Sequence, residues 1–274
     1  MDAAVEGVHF RRDLLSFEDI GYRATMAAAS DLAAMGAEPA GVLSALVLPD
    51  DVGDEGLEAV ARGQREAVGA LGTAVVGGNL ARGGELSLTT TVLGRAPRPV
   101  PRGGARPSDA LWLMGPVGLA AAGLRLLMEG RPIETAAARA CVAAWRRPRA
   151  RIAEGLAMRV VATAAIDISD GLARDVGHLA HAGGVRAVID VATLDSAELR
   201  AAAEELGASA GDLALFGGED YAIAFAAPEG VSVAGATRIG WFEERDATGG
   251  AVVVIRPDGV REEIREGGFD HFAR

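Results

Sequence analysis

Two spacings take turns along this chain. Residues 3–10 alternate and end on His9 and Phe10, which predicts a short strand. Ser16 stands three before Asp19, a capping arrangement, and apolar residues then recur at helical spacing over 17–35 until Gly36. The apolar run 41–48 predicts a buried strand stopped by Pro49. Helical spacing returns over 54–70. Residues 73–77 and the β-branched stretch 85–95 predict two further strands.

Pro97, Pro99, Pro101 and Pro107, with Gly103 and Gly104 between them, interrupt this order. Such a stretch is extended and cannot join a central strand. It divides the chain into a predicted domain 1–100 and a predicted domain 101–274. The second part restarts with a strand at 110–114 and helices at 118–129, 134–145 and 149–160. A strand at 163–167, a helix at 170–182 and strands at 185–190, 220–226, 236–241 and 251–256 complete it. Alternating elements of this kind predict an α/β fold, layers of helix over sheet.

Composition narrows the chemistry. Half of the 274 residues are apolar and 24% are charged, which is globular. The net charge is −11 and there is no lysine; all 27 basic residues are Arg. A Walker A loop, a Schiff-base enzyme and a standard protein kinase are therefore excluded. The acidic balance argues against a nucleic-acid partner. Cys141 is the single cysteine, so disulfide frameworks and Cys-based zinc sites are excluded. No charged-then-apolar leader and no apolar run of about 18 residues is present, so no membrane partner and a cytoplasmic protein are expected.

Four places carry candidate chemistry. On a helix 17–35, Asp31 has Ala27, Ala28, Ala34 and Met35 as its neighbours, which predicts a buried carboxylate near the helix C-terminus. Burial there costs free energy, so the acid is either bonded to backbone or Arg, or ligates a metal; the metal offsets both penalties. Asp167-Ile168-Ser169-Asp170-Gly171 follows an apolar strand and opens a helix, with Ser169 placed as cap. Capping does not explain Asp167, and strand ends beside helix N-termini are where α/β proteins hold phosphates and metals. Gly217-Gly218-Glu219-Asp220 precedes an alternating strand; alone it reads as a turn with solvated acids. Gly77-Gly78-Asn79 at a strand end is a weak signal, more often a turn. His178 and His181 share a helix face, which is more simply a solvated face than a metal pair.

Taken in order, these segments resemble the thiamine-monophosphate kinase family. Asp2 with Val5-Glu6-Gly7-Val8-His9-Phe10, then Ser30-Asp31-Leu32-Ala33-Ala34-Met35-Gly36-Ala37, match its first motifs. Arg102 ahead of Gly104-Ala105-Arg106-Pro107-Ser108-Asp109 and Arg147-Pro148 with Arg151 follow. Asp167 to Leu172, Gly217 to Tyr221 and Phe269-Asp270-His271-Phe272 complete the set. The resemblance implies a two-domain aminoimidazole-ribonucleotide-synthetase-like fold and a homodimer formed through strands of the first domain. It implies transfer of the ATP γ-phosphate to thiamine monophosphate. By the same resemblance Asp2, Asp31, Asn79, Asp167 and Asp170 hold several Mg²⁺ ions. Gly78, Asn79, Arg102 and Ser169 contact ATP, and His9, Glu219 and Phe269 contact the thiamine phosphate.

The chain departs from the family pattern twice. Members usually carry a further N-terminal segment with a Gly-Asp-Asp motif, whereas here Met1 directly precedes Asp2. The N-terminal domain is therefore expected to lack its first segment, with weakened turnover. Members also usually have Asp where Asn79 stands, which removes a charge from one metal position. Two other readings stay open: a non-catalytic nucleotide- or thiamine-phosphate-binding paralogue, and another ATP-dependent synthetase of the superfamily.

Overall fold

The computed structural model describes residues 1–246 and 249–264. The first part contains β1 (Asp2–Val5), α1 (Phe17–Ala34), β2 (Glu38–Leu48), α2 (Asp54–Ala70), β3 (Val75–Arg82) and β4 (Ser87–Arg95). After the proline-rich stretch come β5 (Ala110–Met114), α3 (Leu119–Met128), α4 (Ala136–Arg146), α5 (Ile152–Met158), β6 (Ala164–Asp167) and α6 (Leu172–Gly183). Then follow β7 (Val185–Asp190), α7 (Ala197–Leu206), α8 (Ala210–Phe216), β8 (Ile223–Ala227), β9 (Thr237–Glu244), β10 (Val252–Ile255) and β11 (Arg261–Ile264).

Strands before the prolines form one sheet, in the order β1-β4-β2-β3; those after them form a second, β11-β10-β7-β9-β5-β8-β6. The proline-rich segment joins neither ladder as a strand but ties them. Val100 N–H donates to the Met35 carbonyl at the end of α1, and Ala165 N–H in β6 donates to the Pro101 carbonyl, both at 3.0 Å. No helix among the described residues is long and apolar enough to cross a membrane.

Helix α1 is buried on several sides. Ser16 caps it by accepting from Asp19 N–H, and Gly36, at φ +65°, closes it. Met26 and Ala29 pack with Val42, Val92 and Val68. Ile20 and Ala24 pack with Leu46 and Leu88 and also with Trp145 from beyond the prolines. Ala33 packs with Met114, Met158, Ala165 and Phe225 of the second part. The remaining core lies between the seven-stranded sheet and its own helices.

Three predicted strands differ from what is observed, and three observed elements are not predicted by the pattern. The strand predicted at 3–10 stops at Val5, because the chain reverses at Gly7 (φ +77°) and His9 folds back, its Nδ1 accepting from Val5 N–H at 3.1 Å. The strand predicted at 73–77 continues to Arg82 in parallel pairing with β2, so Gly77-Gly78-Asn79 lies inside β3 and not at its end. The strand predicted at 220–226 starts only at Ile223, so Asp220 and Tyr221 belong to a turn. Helices α7 and α8, capped by Ser196 and Ser209, and strand β11 lie where the sequence pattern predicts no element.

Helices α1 and α2 cross at backbone contact. A Cβ on Gly63 would stand 1.9 Å from the Glu18 carbonyl oxygen, whereas one on Gly69, in the same helix, meets nothing within 4 Å. Gly63→Ala is expected to cost about 1–3 kcal/mol in denaturant unfolding despite better helix propensity. Gly69→Ala is expected to stabilise by up to about 1 kcal/mol. A stabilised Gly63→Ala protein would contradict the crossing.

Candidate functional site

The C-terminal half of α1 meets the end of β6. Ser30 Oγ donates a hydrogen bond to the Asp167 carboxylate across this junction. Next to it, Asp31 faces a cleft of about 480 Å³ that Arg102, Val100, Met35 and Asp167 also line. Asp31 and Arg102 form a loose ion pair at 3.9 Å. The sequence predicts a buried Asp31, but its side chain is 48% exposed. The last turn of α1 runs out to the cleft mouth, where Met35 is also exposed. The buried carboxylate is instead Asp167, 7% exposed. Burial pushes its pKa up to about 6; the Ser30 hydrogen bond opposes the shift and the Asp31 charge adds to it.

Asp167 leads into Ser169 and Asp170. The sequence pattern places Ser169 as the cap of the following helix. That helix starts only at Leu172, because the chain turns first at Gly171 (φ +121°), which stands at the cap. The loop N–H groups are held from the other side: Asp175 accepts from Ser169 N–H at 2.9 Å and from Asp170 N–H at 3.0 Å. Asp175 is buried, and burial lifts its pKa to about 7. Sequence reasoning misses this residue; its signal is an acid inside the apolar stripe Leu172, Val176, Leu179. Asp170 stays partly open and pairs with Arg174 at 3.7 Å.

The Gly217–Tyr221 turn lies against this loop. Glu219 N–H donates to the Ser169 carbonyl at 2.7 Å and Tyr221 N–H to the Ile168 carbonyl at 2.8 Å. Glu219 and Tyr221 both adopt left-handed backbone, at φ +67° and +48°, a conformation that costs non-glycine residues free energy. Its acids are held by protein groups. Asp220 accepts from Gly118 N–H at 2.7 Å and Ala120 N–H at 3.1 Å, capping α3; desolvation lifts its pKa to about 7 against those bonds. The Glu219 carboxylate forms an ion pair with Arg23 and accepts from Trp145 Nε1–H at 2.9 Å.

The fold therefore places Asp31, Arg102 and Asp167 around one cleft. Ser169 and Asp170 follow Asp167 in the chain, and Glu219 is joined to them through the Ser169 carbonyl. Asp2 starts β1 close enough to Arg23 to act on its charge. Gly78 and Asn79 lie apart. In the ladder Asp2 stands opposite Thr90, Thr90 opposite Ser44, and Ser44 opposite Gly78. Asp2 and Gly78 are thus three strand spacings apart, about 14 Å. Asn79, one residue on, belongs to the outer face of the sheet, away from α1. His181 Nδ1 lies 3.3 Å from Arg245. Phe269 and His271 lie outside the described residues.

Among the described residues no three Asp, Glu, His or Cys side chains converge as a closed metal site. The donor set still fits a hard cation. Asp31 and Asp167 face one cleft, the Asp31 charge raises the cost of charge on Asp167, and carboxylate oxygens are what Mg²⁺ takes.

An acid whose native pKa is raised contributes stability that is full below its unfolded pKa and is lost as pH rises through the native value. For Asp167 that window runs from 3.8 to about 6. The loss across it is about 3 kcal/mol. Asp167→Asn is expected to melt several degrees above the parent at pH 8 without added metal, and the gap is expected to close by pH 4. A gap independent of pH would contradict the buried charge.

Comparison with known proteins bears on the fold and the family. Residues 1–96 match the family model for AIR synthase related protein, N-terminal domain. Thiamine-monophosphate kinase of Salmonella typhimurium is 38% identical over 231 residues, 83% of this chain and 70% of that one. The Aquifex aeolicus enzyme of the same name is 36% identical over 233 residues, 83% of this chain and 74% of that one. A solved structure of AaThiL complexed with AMPPCP and TMP superposes with a TM-score of 0.90 at 34% identity, covering 99% of this chain and 85% of that one. The mixed α/β two-sheet architecture is the AIR synthase-like fold that the motifs implied. The chain belongs to the thiamine-monophosphate kinase family.

Proposed function

We propose that this protein transfers the γ-phosphoryl group of ATP to thiamine monophosphate, giving ADP and thiamine diphosphate. The observation that carries the reading is the strap between Ser169 and Glu219, which joins the acid-lined cleft to a second carboxylate held on Arg23 and Trp145. The acceptor is itself a phosphate, ionised at neutral pH, so no strong base is required. The barrier lies in bringing two anions together, and positioning with charge neutralisation meets it.

Each group of residues has a place in this reading. Asp2, Asp31, Asp167 and Asp170 hold Mg²⁺, which neutralises polyphosphate charge. Arg102 and Ser169 bind ATP, and with no lysine in the chain Arg102 is the cation at the cleft. His9, Glu219 and Phe269 bind thiamine monophosphate. Residues 1–100 form the ATP- and metal-binding domain and residues 101–274 the C-terminal domain. The protein is a cytoplasmic homodimer. Support for the dimer comes from the outer face and free edge of the first sheet, where Leu43, Leu93, Val75, Val76 and Leu80 are exposed. Gly78 and Asn79 lie along that edge, so they reach a nucleotide only when a second subunit covers it.

The test is a reaction of the purified protein with ATP and thiamine monophosphate under a magnesium titration, read as ADP release and as thiamine diphosphate by ³¹P NMR. Product is expected only with Mg²⁺. Asp31→Asn is expected to lower kcat by about 10²-fold or more, the scale for losing one electrostatic group at the transferring phosphate. Undiminished turnover in excess EDTA, or ADP release without thiamine diphosphate, would contradict the reading.

A further inference from the structure

Arg23 lies in the second turn of α1 and is 5% exposed, an unusual place for a guanidinium. It donates to the Trp145 carbonyl, lies 5.0 Å from the centroid of the Trp145 ring and forms an ion pair with Glu219. Trp145, at the end of α4, is 2% exposed and donates its indole N–H to the other Glu219 oxygen. The two Glu219 carboxylate oxygens are therefore held by two side chains that touch each other. Burial alone would pull the Arg23 pKa down; the charge and hydrogen bond of Glu219, with the charges of Tyr221 and Asp2, together outweigh it, and the guanidinium stays protonated.

The backbone of Glu219 is held as firmly. Its left-handed φ of +67° is locked by the N–H bond to Ser169 and by Asp220 capping α3 one residue later. A Cβ on the preceding Gly218 would lie 2.4 Å from the Ser169 carbonyl oxygen, so the turn has no room to shift there. A strained backbone and a doubly anchored side chain fix one carboxylate in one orientation. The Glu219 side chain nonetheless remains 29% exposed and so reachable.

We propose that Arg23 and Trp145 are positioning residues that aim the Glu219 carboxylate at the cationic thiazolium and aminopyrimidine part of the acceptor, setting acceptor affinity without touching the nucleotide. This rests on the reading of Glu219 as an acceptor contact. The division of labour follows from placement: the clamp is built from α1, α4 and the Glu219 turn, whereas Arg102 and Asp167 face the separate cleft.

Trp145→Phe keeps an aromatic face under Arg23 and removes only the indole N–H. It is expected to raise KM for thiamine monophosphate about tenfold, the size typical of losing an outer partner of a ligand-binding group. Its KM for ATP and its Tm are expected to stay near the parent values. Arg23→Gln is expected to raise the same KM further, with Arg23→Lys recovering part of the loss. Adding Trp145→Phe to Glu219→Gln is expected to cause no further change, since the group being aimed is already altered. Equal rises in both KM values, or a fall in Tm with no selective KM effect, would reduce the clamp to structure and overturn the proposal. An unchanged acceptor KM in Trp145→Phe and Arg23→Gln alongside a raised one in Glu219→Gln would also overturn it. An unchanged acceptor KM in Glu219→Gln itself would instead overturn the reading of Glu219.

Discussion

Everything at the site depends on how α1 is wedged. Gly21 and Gly63 let it cross α2 at backbone contact, and Gly155 lets α5 approach the Ala33 carbonyl, where a Cβ would stand 2.0 Å away. Pinned between those contacts, the helix presents Arg23, Ser30 and Asp31 along its length. Arg23 and Ser30 are seven residues, or about 10 Å, apart on nearly the same face. One holds Glu219 and the other holds Asp167. A slide of α1 by one turn, about 5.4 Å, would break both contacts together. The distance between the Glu219 carboxylate and the cleft acids is thus set by a rigid helix together with the Ser169–Glu219 strap.

The site is also where the fold gives up stability. Asp167, Asp175 and Asp220 all have pKa values pushed upward by desolvation. Asp175 and Asp220 accept from backbone N–H groups and so shape the chain around them. Asp175 holds the Ser169–Asp170 loop, and Asp220 joins the Glu219 turn to α3. Asp167 is held by the Ser30 hydroxyl, with the Asp31 charge beside it. A carboxylate in that position is poorly stabilised by the protein alone, which suits the cation-binding role proposed for Asp167.

Much of this is legible in the sequence. Helix α2 and strand β5 fall on their predicted residues, and α1 falls within one residue, because periodicity is clear in each and the Ser16 cap fixes the start of α1. The ordered motifs point to the acids, and the fold puts two of them, Asp31 and Asp167, on one cleft. Four matters need coordinates. Asp31 sits at the end of an apolar stripe, and only the position of the cleft shows that the end is open. Ser169 looks like a cap because the sequence does not show that the turn at Gly171 delays the helix. The face on which Asn79 lies depends on strand register, and the irregularity in β2–β3 pairing between Val42 and Leu43 hides that from any alternation count. The clamp on Glu219 joins residues far apart in the chain, so spacing carries no trace of it.

The most direct test is a crystal structure of the protein with Mg²⁺, a non-hydrolysable ATP analogue and thiamine monophosphate. The account predicts Mg²⁺ about 2.0–2.1 Å from carboxylate oxygens of Asp31 and Asp167. It also predicts the polyphosphate against Ser169 and Arg102 and the thiamine ring against a Glu219 carboxylate still held by Arg23 and Trp145. A second cavity of about 600 Å³, lined by Arg12, Phe17, Arg62 and Arg147, offers the ligands another place. Nucleotide bound there, with Asp31 and Asp167 free of metal, would contradict the central claim that α1 sets the geometry of the reaction.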